Sequence, residues 1–167
     1  MANAFRIEYN TRISSAMQND VNVAAGRKAA FIATVAMVSA RALLFVMGML
    51  SGFINGLPFF VFDAVMLLVS AGFGIMIYKG VRGLAILALI GGFVSLWSEW
   101  QNGALTGIFR LGNLFMTLHG AAFIIAIMMT IVPMTYLLIS ANYRKYAEAV
   151  SKINKDLMEE QKARKKG

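Results

Sequence analysis

Three residues have side chains able to do chemistry where charge is costly: Arg41, Asp63 and His119 each interrupt a long apolar stretch. A charged side chain at the middle of a membrane span carries an insertion penalty of about 2.5–3.5 kcal/mol, so none is expected to face lipid alone. At about 1.5 Å per helical residue, Asp63 falls roughly 8 Å from one end of its stretch and His119 roughly 12 Å. Arg41 falls roughly 14–20 Å from the corresponding end, a gap that an arginine side chain can largely span. The three residues could therefore share one polar pocket, with Asp63 paired to Arg41. Used functionally, such a pocket is an ion, proton or anionic-ligand site, with an imidazole titrating near neutral pH and a carboxylate held charged by a guanidinium. Used structurally, it is an ion pair fixing helix register and a histidine bonding across helices. The sequence favours the structural use. Glu99 and Arg110 read as a solvated pair at the outer edge of the apolar region.

Other chemistries are discounted by what the chain lacks. There is no cysteine, which removes disulfides, thiolate metal sites and thiol catalysis. A single histidine excludes a paired-histidine zinc motif, and no glycine-rich phosphate loop or carboxylate cluster is present. Ser39, Ser70 and Ser95 have no recognisable base. The 12 methionines are scattered through apolar runs and read as packing rather than copper ligation. An enzyme is not expected, nor a metal or a cofactor.

The elements that must hold these residues are transmembrane helices. Of the 167 residues 59% are hydrophobic and 14% charged, against roughly 45–50% and 25% in a soluble domain. Four apolar stretches, 29–54, 57–78, 83–98 and 111–140, approach or exceed the roughly 20 residues that cross a bilayer. The expected fold is all-α: a four-transmembrane-helix bundle over 29–140, preceded by an amphipathic interfacial segment (1–28) and followed by a basic helical tail (141–167). Asn55, Gly56 and Pro58 form a helix stop followed by a helix start. Pro133 should kink the last span and free a carbonyl within reach of Thr130. Arg27, Lys28 and the apolar run to Val38, with Ser39 and Ala40, imitate a cleaved signal; the run resumes directly after Arg41, which is how an uncleaved span reads.

Arg6, Arg12, Arg27 and Lys28 precede the first span, Lys79 and Arg82 lie between the second and third, and Arg144, Lys145, Lys152, Lys155, Lys162, Arg164, Lys165 and Lys166 follow the last. The other side has Arg110, so both termini are expected in the cytoplasm, at a plasma or inner membrane. Trp97 and Trp100 would mark the outer interface and Tyr78, Tyr143 and Tyr146 the inner one. Phe5, Tyr9, Ile13, Met17 and Val21 recur at helical spacing, as do Tyr146, Val150, Ile153 and Leu157. The second stripe is expected to fold back on the inner loops. Arg144, Lys145, Lys162, Arg164, Lys165 and Lys166 suit anionic headgroups or another anionic partner at about 1 kcal/mol each; lipid is the default and nucleic acid is not expected. Gly48, Gly52 and Gly56, and Ala88 with Gly92, repeat at intervals of four and predict close helix contacts, within the chain or with a partner or second copy. These features point to a non-catalytic subunit or scaffold of a membrane assembly. The alternative is a small oligomeric transporter or channel lined by Arg41, Asp63 and His119.

Overall fold

The computed structural model describes residues 2–51, 57–101 and 114–164. They form six helices: α1 (Ala2–Asn19), α2 (Val21–Ser51), α3 (Leu57–Tyr78), α4 (Arg82–Gln101), α5 (Leu114–Ile139) and α6 (Ala141–Arg164). No strand occurs among the described residues. The chain is all-α, and α2, α3 and α5 contain segments long and apolar enough to cross a membrane: Val21–Leu50, Phe60–Tyr78 and Thr117–Ile139. Only 11% of the α3 segment is buried inside the protein. Side chains such as Phe62, Leu68 and Val69 stand exposed along it, so its surface calls for an apolar solvent rather than water. Within α4 the apolar part is shorter, Arg82–Val94.

α2 is the axis of the fold, touching α1, α3, α5 and α6. Gly26, Ala30, Ala33, Met37 and Ala40 are buried along it, at alternating intervals of four and three that keep them on one face. Small side chains there let neighbouring backbones approach, which is how apolar helices gain van der Waals contact where lipid supplies no hydrophobic drive. A Cβ added at Gly74 of α3 would lie 2.6 Å from Thr34 Cγ2, and Thr34 Oγ1 donates to the Gly74 carbonyl at 2.9 Å. α4 lies against α5, where a Cβ at Gly92 would touch Ile131 at 3.4 Å and Ala88 is buried. The Ala88–Gly92 face is thus used inside the chain. Gly48 is buried on α2; Gly52 and Gly56 lie outside the described residues.

Three local readings are corrected. The first long helix begins at Val21 rather than near Ala29, because Asp20 interrupts the chain and caps α2: its Oδ1 accepts the Asn22 N–H at 2.8 Å. These bonds, backbone first, hold the Asp20 carboxyl below the usual aspartate range. Val21 therefore drops out of the α1 stripe and stands 81% exposed. The rest of that stripe, with Ile13 at its centre, joins the protein's own core. Finally, α5 runs through Pro133, and Thr130 Oγ1 donates to Ala126 O at 3.0 Å, one turn back from itself, rather than to the carbonyl that proline frees.

Candidate functional site

α2 and α3 pack side by side, and Arg41 Nη2 reaches Asp63 Oδ1 at 3.2 Å. Both side chains are about a quarter exposed, so the pair is partly sheltered by the two helices. In a low-dielectric setting each charge needs the other more than it would in water. His119 stands on α5, buried, and takes part in an interaction there. The geometry thus unites Arg41 with Asp63, and no group of three His, Cys, Asp or Glu able to hold a metal ion occurs among the described residues.

The second polar centre was not anticipated as a site. It is built where α1, the first turns of α2, the turn after α3 and all of α6 come together. α3 ends in a tight C-cap: Val81 N–H donates to Met76 O, Gly80 N–H donates to Ile77 O, and Gly80 takes φ +84°, which glycine adopts without strain. The carbonyls of a helix's last turn lack partners within it. Here α6 supplies them, Tyr143 Oη donating to Ile77 O at 3.0 Å and Tyr146 Oη to Tyr78 O at 2.6 Å. Both tyrosines are buried. They lie against the end of α3 as bonded core residues. Burial pushes the Tyr143 phenol up to about 12 and raises Tyr146 further, so both remain protonated donors at neutral pH. Burial likewise raises Tyr9, against a downward pull from the Arg27 charge.

Arg27 is held at the heart of this cap. Its Nε donates to Tyr78 Oη at 2.8 Å, Nη1 approaches Met17 Sδ at 3.2 Å, and the guanidinium carbon lies 5.2 Å from the centre of the Tyr78 ring. None of these partners is an anion. Arg12 bridges Glu8 on its own helix (2.7 Å) and Glu160 on α6 (2.8 Å), tying α1 to the tail. Arg82 Nη2 reaches the Leu138 carbonyl at the end of α5, at 3.5 Å, a favourable place for a cation beside a helix C-terminus. Arg144, Lys145, Lys162 and Arg164 are exposed on α6; Lys165 and Lys166 lie outside the described residues. The signal that could have revealed this centre is the spacing of Tyr143 and Tyr146, which puts two hydroxyls on the buried face of α6.

No family model matches the chain, and neither a curated protein nor a solved structure does.

Proposed function

We propose that the chain is a four-span membrane protein, crossing with α2, α3, α4 and α5 and carrying both ends on the cytoplasmic face. In this reading it serves as a non-catalytic subunit or scaffold of a membrane assembly. At 20 residues, α4 has a length of about 30 Å, the thickness of the hydrocarbon layer. The cations of α1, α6 and the turn after α3 gather at one end of the molecule, as the positive-inside rule asks of a cytoplasmic face.

The observation that carries the reading is the contrast within α3. Its one charged residue, Asp63, is taken up by Arg41 of the same chain, while only 11% of its span segment is fully buried and apolar side chains such as Phe62, Leu68 and Val69 stand exposed. A helix so exposed has area to offer lipid or a partner's spans, and its charge is already neutralised. The rival use, a pathway through Arg41, Asp63 and His119, requires charge to move. Proteoliposomes bearing the wild type should show no ion or proton flux above that of empty vesicles. Flux in the wild type that disappears in Asp63→Asn would overturn the scaffold reading in favour of transport.

A further inference from the structure

We propose that the cap holds a binding site for the phosphate headgroup of an anionic phospholipid. A cavity of about 490 Å³ opens between α1, α2, α6 and the turn after α3, within the size range of small-molecule sites. Three elements each contribute a cation to its lining, Arg6 from α1, Arg27 from α2 and Lys79 from the turn, and no carboxylate lines it. Glu8 and Glu160 are engaged by Arg12, and none of the three lining cations is in an ion pair among the described residues. Cations converging without a counter-charge attract an anion, and a phosphate can accept from several of them at once. Arg27 is oriented by Tyr78 and Met17, so its position does not depend on a ligand.

Apolar surface beside the cations decides what kind of phosphate fits. A second depression, about 250 Å³, shares Arg27 and Tyr78 with the first and adds Lys28 and Phe31. From there Phe31 (56% exposed), Ile32 and Val35 continue as an uncovered apolar strip along α2, with Val35 one turn from each of the other two. An inorganic phosphate has no use for this strip. An amphiphile has: its phosphate would lie among Arg6, Arg27 and Lys79, and its acyl chain against the α2 strip. The inference depends on α2 being in a membrane but not on the scaffold reading, since a transporter could bind the same lipid.

The test uses the full chain in phosphatidylcholine nanodiscs containing acyl-chain spin-labelled phosphatidic acid, with the immobilised fraction giving the preference for the anionic lipid. Arg6 and Lys79 are exposed and their side chains make no hydrogen bond or ion pair among the described residues, so Arg6→Gln/Lys79→Gln should fold as the wild type does, checked by unchanged hydrogen exchange in α6. With each cation contributing roughly a fivefold preference, this variant should lose about 30-fold. Lys152→Gln/Lys155→Gln, on the exposed face of the tail, should keep the wild-type preference, and millimolar inorganic phosphate at matched ionic strength should not displace the lipid. Preference unchanged in Arg6→Gln/Lys79→Gln, or lost in the tail variant, would show general attraction to basic segments and overturn the site. Displacement by inorganic phosphate would overturn the lipid assignment.

Discussion

Replacing Gly26 with alanine is expected to release α6 from the rest of the protein. At Gly26 α2 and α6 cross closely: an added Cβ would overlap the Asn142 carbonyl oxygen, lie 2.7 Å from its carbon and 2.8 Å from Tyr146 Cβ. The first two are backbone atoms and cannot rotate away. Restoring ordinary contact of at least 3.4 Å requires the helices to part by more than 0.7 Å, since the contact with the Asn142 carbon alone calls for that and its oxygen lies nearer still. A gap of that size forfeits roughly a quarter to a half of the dispersion energy of each contact across it, and overpacking of this kind costs about 1–3 kcal/mol. The same movement stretches the Tyr143 and Tyr146 bonds to the end of α3, each contributing about 1 kcal/mol. A loss of about 3 kcal/mol in docking free energy follows, equivalent to roughly a 100-fold rise in the open population.

Hydrogen exchange of the α6 amides in nanodiscs reads this directly, because local opening sets the exchange rate of a docked helix. Exchange in α6 should accelerate by roughly 100-fold in Gly26→Ala, with the amides in the middle of α5 unchanged. Gly72→Ala is the internal control: a Cβ there meets nothing within 4 Å, and alanine is the better helix former by about 1 kcal/mol. It should leave α6 protected. Wild-type protection of α6 in Gly26→Ala would refute the close crossing and, with it, the account of how the cap is held.

Two further perturbations probe the polar centres. Asp63→Asn leaves Arg41 without its counter-charge and should destabilise the membrane domain by about 3 kcal/mol in a denaturant titration in micelles. Arg41→Met/Asp63→Asn should regain most of that loss; a double variant as unstable as the single would show that Asp63 matters for something other than Arg41. Tyr143 is held neutral in the folded protein up to about pH 12, whereas an unfolded tyrosine ionises near 10, so its contribution to docking is fully present below pH 10 and is lost as pH rises through 12. Absorbance titration of tyrosinate should show at least two of the five tyrosines resisting ionisation beyond pH 11, and Tyr143→Phe should remove one of them.

The sequence was informative where apolar runs are long and uninterrupted, because period and length suffice to define a helix that lipid can solvate. The Arg41–Asp63 contact was also legible, since two charges on adjoining helices, at depths that an arginine side chain can bridge, have few other partners. The helix boundary at Asp20 was less visible. The chain around it stays amphipathic on both sides, and a lone capping side chain stops one helix and starts the next without altering that pattern. Ala88 and Gly92 were readable as packing residues, but spacing alone could not say that their partner is α5.

The cap was hardest to read because its decisive residues change meaning across the boundary of the membrane. Gly26 belongs to the same small-residue face as Ala30, Ala33 and Ala40, yet it lies in the polar flank, where a glycine reads as a loosener of helices rather than as a crossing point. Tyr143 and Tyr146 resemble interfacial anchors from composition, and only the end of α3 in front of them shows why two hydroxyls are tolerated in a buried stripe. Both features have one physical cause. α2 is 31 residues long, about 46 Å, longer than roughly 30 Å of hydrocarbon, so in the proposed membrane reading its packing face continues into the aqueous side. Whatever packs there must satisfy the helix ends that reach the same level, and α6 does so with side chains that are apolar along their length and polar at their tips.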